Sequence, residues 1–129
     1  MTAGSRFLDG IILSLTINYS DAQFEAEWYS GYDAAARARG GDAALDCLHL
    51  WFNGGQEFSS LISAGIHHEL LSNTRNTYPG GDTGVTYQWL GGYAQFTLPK
   101  GFFARFTAGA DIESGNVGDF YKIGVGMSF

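Results

Sequence analysis

Charge is scarce in this chain. Charged residues fill 16% of its 129 positions, against roughly 25% in an average soluble domain. Lysine is rarer still, occurring only as Lys100 and Lys122. The balance is acidic, with a net charge of −6. A general nucleic-acid binder needs a basic patch, so nucleic acid is not an expected partner. A cationic helix lying on a membrane surface is excluded on the same ground. Cys47 is the single cysteine, so no intrachain disulfide can form. Its plain reading is a small apolar residue, buried or facing lipid. No apolar run approaches the roughly 18 residues of a membrane-spanning helix. The opening "MTAGSRFLDG" has none of the basic-then-apolar pattern of a secretory leader.

What the chain does have is glycine, 19 residues, and aromatics at 16%. That composition suits a β-protein with tight turns, and the length suits one domain over 1–129. Turn signals recur at Gly40-Gly41, Asn53-Gly54-Gly55, Pro79-Gly80-Gly81, Gly91-Gly92, Pro99-Lys100-Gly101 and Ser114-Gly115-Asn116. Short segments between such signals predict an up-and-down meander.

The segments themselves alternate with period two. Ile11, Leu13, Leu15, Ile17 and Tyr19 share one face; Ser14, Thr16, Asn18 and Ser20 share the other. After a turn near Ser20-Asp21, Phe24, Ala26 and Trp28 oppose Glu25, Glu27 and Tyr29. "GVTYQW" sets Val85, Tyr87 and Trp89 against Thr86 and Gln88, and "YAQFTL" sets Ala94, Phe96 and Leu98 against Tyr93, Gln95 and Thr97. "FFARFTAGADI" sets Phe102, Ala104, Phe106 and Ala108 against Phe103, Arg105, Thr107 and Gly109. The chain ends on the most regular run, with Tyr121, Ile123, Val125, Met127 and Phe129 opposite Lys122, Gly124, Gly126 and Ser128.

The middle is ambiguous. Residues 43–71 alternate fairly well as strands, and they also fit helical stripes, one of them Phe58, Leu61, Ile62, Ile66 and Leu70. An Ala-rich turn of helix is expected in "YDAAARARGG" on local propensity. The patterned flanks favour strands across 43–71, with a possible short helical segment within 31–71.

Alternation does not say which face is inside. A soluble sheet hides its apolar face; a transmembrane barrel turns it to lipid and points polar and glycine residues inward. The polar faces here are small and poor in charge, as a narrow lumen requires. Glu25, Glu27, Arg105 and Lys122 are the candidates for charge pairs across that lumen. Tyr19, Trp28, Trp89, Phe102, Tyr121 and Phe129 sit near segment ends, where interfacial aromatic girdles form. The expected fold is all-β, an antiparallel up-and-down transmembrane barrel of about eight strands. At roughly 9–11 residues per strand, more than eight would not fit. The connections "NTRNTYPGGDTG" and "DIESGNVGD" are the expected outer loops.

The final run "YKIGVGMSF" resembles the C-terminal strand of Gram-negative outer-membrane β-barrels, which ends in Phe after alternating apolar residues. The resemblance implies a bacterial outer-membrane location, a lipid bilayer partner, and recognition by the barrel-assembly machinery. Tyr121, Ile123, Val125, Met127 and Phe129 would carry that recognition. It also implies a structural, adhesive or surface-interaction role.

Two alternatives stand beside this reading. Small outer-membrane barrels of similar size include lipid A deacylases, which use a Ser nucleophile, a His base and an acidic partner in a His-x-Ser-Asn motif. Here the stretch is "HHELLSN", giving His68, Ser72 and Glu69, with His68 four residues ahead of Ser72. On a strand that spacing is about 13 Å, beyond proton-transfer reach, whereas a helix would bring the two together. The second alternative is a soluble α+β or β-barrel domain with an apolar ligand inside. No metal or cofactor is expected: His67 and His68 are adjacent and on a strand would point to opposite faces.

Overall fold

The computed structural model describes residues 10–35, 44–115 and 118–127. Within them lie seven strands: β1 (Gly10–Ser20), β2 (Phe24–Ala35), β3 (Leu45–Ser59), β4 (Ile62–Asn76), β5 (Gly84–Thr97), β6 (Phe102–Asp111) and β7 (Asp119–Met127). They form one antiparallel sheet in sequence order. Asp21 to Gln23, Ser60-Leu61 and Leu98 to Gly101 make the short connections at one end. The described parts of the longer connections, including residues 77–83 and 112–115, lie at the other.

The period-two pattern sets the register. Ile17 lies opposite Trp28, and Trp28 opposite Phe52, so one apolar face runs from strand to strand. The turns have local causes. The Asp21 carboxylate accepts the backbone N–H groups of Gln23 and Phe24, each at 2.8 Å, and the Tyr19 hydroxyl at 2.8 Å. This is an aspartate-closed turn. The charged form gains these donors, so the Asp21 carboxyl is held below its ordinary range, with the Gln23 and Phe24 N–H groups the largest causes. At Pro99-Lys100-Gly101 the chain reverses through positive φ at Lys100 and Gly101, 67° and 76°.

Three expectations need correction. Among the described residues the strands number seven, where about eight are expected. Among the described residues the ring is also not closed, because β1 pairs only with β2 and β7 only with β6. The helical turn expected in the Ala-rich stretch does not form where that stretch is described, since residues 32–35 belong to β2, whereas residues 45–71 are strand as the patterned flanks favour, β3 and β4 joined at Ser60-Leu61. The rest of the Ala-rich stretch, with Gly40-Gly41, lies outside the described residues.

Two of the expected turns are strand interiors. Asn53-Gly54-Gly55 runs through β3 and Gly91-Gly92 through β5, which fuses segments that look separate in sequence. The physical reason is curvature. A Cβ on Gly65 would collide with the backbone of Gly54 and Gly55, and one on Gly91 with the backbone of Ala108 and Gly109. Glycine here lets neighbouring strands approach where the sheet bends. The fusion also carries one parity through β5, so Tyr87 and Trp89 share the face of Tyr93. Trp89 therefore points inward, not to a girdle, and stacks on Tyr87 and Phe120 with ring centroids 4.1 and 4.9 Å away.

The sheet is strongly curled. β2 and β6 are four strand spacings apart, about 19 Å in a flat sheet, yet Arg105 on β6 reaches Glu27 on β2 at 3.0 Å. The concave face carries the buried residues, and these are mostly polar: Asn53, Ser63, His67, Glu69 and Thr107. Among the described residues the buried apolar set is only Ala44, Tyr93 and Phe120. The convex face is apolar and open. On β7, Tyr121, Ile123 and Val125 are 78%, 73% and 80% exposed.

Candidate functional site

The concave face is where the sequence concentrates chemistry. Alternation points His49, Trp51 and Asn53 of β3 inward, with Ser63, His67 and Glu69 of β4 beside them in register. β2 contributes Glu25, Glu27 and Tyr29. β5 contributes Tyr87, Trp89, Tyr93 and Gln95, β6 contributes Arg105 and Thr107, and β7 contributes Phe120 and Lys122.

Glu69 is the hub. One oxygen, Oε1, faces His49 Nε2 at 3.0 Å and accepts from the Tyr87 hydroxyl at 2.8 Å. The other, Oε2, faces His67 Nε2 at 3.2 Å and pairs with the Lys122 ammonium. The Glu69 side chain is only 5% exposed, and a buried carboxylate is tolerable when so fully paired. From there the network continues. His67 Nδ1 meets Asn53 Oδ1 at 2.6 Å, and Asn53 Nδ2 donates to Glu27 Oε2 at 3.2 Å. Arg105 donates to the same Glu27 oxygen at 3.0 Å and to Gln95 Oε1 at 3.0 Å. One chain of bonds thus links β7, β4, β3, β2, β6 and β5.

His67 sits between two acceptors. Asn53 is oriented by its donation to Glu27, so its carbonyl oxygen accepts from Nδ1–H of His67. A hydrogen bond between Nε2 and Glu69 then needs a second proton, on the ring or on the carboxyl. A smaller group lies nearer the short turns: Glu25 Oε1 accepts from Ser63 at 2.8 Å and from Tyr93 at 2.5 Å. Among the described residues no buried side-chain nitrogen or oxygen is left without a partner. Two cavities of about 320 and 290 Å³ flank the network, and Asn53 and Arg105 line both. Aromatic stacks stand on each side, Tyr29 on Trp51 and Tyr87 on Trp89.

Of the residues expected to pair across a lumen, Glu27 and Arg105 meet each other. Lys122 meets Glu69 instead, and Glu25 meets hydroxyls. The triad candidates are not brought together. Glu69 is on the concave face, whereas His68 lies on the convex one, where its ring nitrogen meets Gln88 at 2.9 Å. Ser72 is opposite Leu48 on the convex face, about 13 Å along β4 from His68. His67 and His68 point to opposite faces. Among the described residues no group of three or more His, Cys, Asp or Glu side chains could hold a metal ion. Tyr121, Ile123, Val125 and Met127 form the outward row of β7; Phe129 lies outside the described residues.

Sequence reasoning missed Asn53, Tyr87, Tyr93 and the hub role of Glu69. The signal was parity. Carrying period two through Gly54-Gly55 and Gly91-Gly92 would have put His49, Asn53, His67, Glu69 and Tyr93 on one face.

No helix among the described residues is long and apolar enough to cross a membrane, which says nothing about strands. Neither a curated protein nor a solved structure matches the chain. The profile of a family of unknown function, DUF6733, matches residues 1–129, and the chain belongs to that family.

Proposed function

We propose that this chain forms the wall of a small bacterial outer-membrane β-barrel, with a structural or surface-interaction role carried by its longer connections. The observation behind this reading is the inverted burial. In water, apolar side chains leave the surface and polar ones stay on it. Here Glu69 and His67 are 4% and 5% exposed while Ile123 and Val125 are 73% and 80% exposed. An apolar convex face around a satisfied polar interior is the arrangement that lipid outside and little water inside would favour. Strand length supports the same reading. The strands run from 9 to 15 residues, and a tilted crossing takes about 9–11. The outward row of β7 is the one the barrel-assembly machinery would read.

The interior network supports a plugged barrel rather than an open pore, since its polar groups satisfy one another. Nothing in the placement of His68, Ser72 and Glu69 favours the hydrolase. The aliphatic rows of the described strands point away from the interior, which favours the barrel over a soluble domain with an apolar ligand inside.

The test is refolding into detergent micelles, followed by electrophoresis in sodium dodecyl sulfate with and without boiling. A folded barrel resists the detergent and migrates differently until boiled. A chain that stays monomeric and soluble without detergent, and shows no shift, overturns the proposal.

A further inference from the structure

The convex face is apolar, yet a polar pair sits well inside it. His68 on β4 lies opposite Phe52 on β3 and Leu90 on β5, with Ile66 and Leu70 on either side of it along its own strand. Gln88 lies opposite Leu70 and turns its amide to the His68 ring, nitrogen to nitrogen at 2.9 Å. His68 is six residues beyond Ile62, where β4 leaves its short turn. Six residues span about 20 Å of strand, or about 15 Å of depth at a tilt of about 40°. On the barrel reading that is the middle of a hydrocarbon layer about 30 Å thick. Polar side chains at that depth are costly and persist where they meet a partner.

The pair satisfies only half of itself. An amide nitrogen only donates, so Nε2 of His68 accepts and the neutral ring carries its proton on Nδ1. Nδ1–H of His68 and Oε1 of Gln88 have no other partner among the described residues. Turning the amide over exchanges the roles and still leaves one donor and one acceptor. Acyl chains supply neither. The surface beside the pair is low. Gly92 lies opposite Ile66 and Ala108, and Leu90 opposite Ala110, so a second surface can approach closely.

We propose that this patch is the contact between two copies of the chain, side by side in one bilayer and related by a two-fold axis along its normal. The inference rests on the barrel reading. Symmetry selects the occupant. Two copies inserted the same way keep every residue at its own depth under that rotation. Face to face, the left of one patch meets the right of the other, so His68 meets the partner's Gln88 and Gln88 meets the partner's His68. The spare donor of each copy then reaches the spare acceptor of the other, and the count closes with two reciprocal bonds. A lipid headgroup offers such groups only at the membrane surface, about 15 Å away. An unrelated protein would need a matching pair at the same depth, which a second copy has by construction.

Sedimentation equilibrium of the refolded full chain in density-matched micelles tests this. The parent, His68→Leu, Gln88→Leu and the exchange of His68→Gln with Gln88→His are compared, each first checked for the heat-dependent gel shift. The expected parent is a reversible dimer. Either leucine removes both bonds between copies while leaving the wall apolar, so the heat shift stays and the dissociation constant rises about tenfold or more. The exchange restores tight association, because it keeps one spare donor and one spare acceptor at that depth. A parent without the shift overturns the barrel reading, and this inference with it. A heat-shifting parent that stays monomeric overturns this inference alone. So does a dimer that both leucine variants leave unchanged, or an exchange that associates no more tightly than they do.

Discussion

At the scale of single residues, the interior depends on one carboxylate. Replacing Glu69 by Ala leaves Lys122, His49, His67 and Tyr87 without their shared acceptor. Lys122 is 37% exposed and water replaces its partner, so the loss comes mainly from the buried hydrogen-bonding groups of His67 and Tyr87 left unpaired, about 1–3 kcal/mol. The expected outcome for Glu69→Ala is a loss of that order in urea unfolding from micelles. Glu69→Gln keeps an oxygen acceptor and loses less. Glu27 and Arg105 are partly exposed, at 29% and 22%, so their pair is worth less. A double-mutant cycle over Glu27→Gln and Arg105→Gln should return a coupling of about 0.5–1 kcal/mol. Asp21 gives a pH signature outside the wall. Its carboxyl is depressed below the ordinary value of 3.8, so its stabilisation is full above that value and lost as pH falls through the depressed one. The Gln23 and Phe24 amides should therefore exchange faster as acid protonates Asp21, relative to D21N, in which that proton-linked change is absent. The charged members of the interior were readable from the sparse polar faces at Glu25, Glu27, Arg105 and Lys122. Their partners were not, because alternation gives a face and not a neighbour across a curled sheet. Glu69 was obscured by the adjacent His68, which invited a catalytic reading that a strand cannot assemble.

Elements were legible wherever the pattern ran unbroken, as in β1, β6, β7 and the first half of β2, whose Ala-rich end instead suggested a helical turn. Where segments that belong to one strand looked separate, glycine was the reason. A glycine pair looks the same in sequence whether it reverses the chain or lets two strands approach. The difference is set by the neighbouring strand: Gly55 lies opposite Gly65 and Gly91 opposite Gly109. Neither partner is visible from local propensity. The consequence is testable by size. Gly65→Val puts side-chain atoms against the Gly54 and Gly55 backbone, which has no rotamer to yield. Overpacking of that kind costs about 1–3 kcal/mol, here at the upper end. Gly124→Ala meets open space and should stay within about 0.5 kcal/mol of the parent. Urea midpoints for the two variants in one micelle system check the contrast. If Gly65→Val matched the parent, the curvature account would fail.

For the whole molecule, the decisive question is what the convex face touches. Exposed apolar residues on a soluble sheet tolerate charge, with effects within about 0.5 kcal/mol. In a bilayer the same substitution is costly in a depth-dependent way, about 2–4 kcal/mol at the midplane and 0–1 near the interface. Leu90 and Ile123 lie mid-strand on β5 and β7 and are exposed, whereas Ile62 begins β4 beside the short Ser60-Leu61 turn. In lipid vesicles Leu90→Arg and Ile123→Arg should each lose about 2–4 kcal/mol and Ile62→Arg no more than about 1. The gradient matters more than any single value. Local packing damage would follow the contacts each side chain makes, and by that measure Ile123, at 73% exposed, should be among the most forgiving positions on the sheet. A large penalty there, matched at Leu90 and absent at Ile62, can come only from the medium around the wall. Equal and small effects at all three would place the convex face in water and leave its apolar rows to be covered by protein instead.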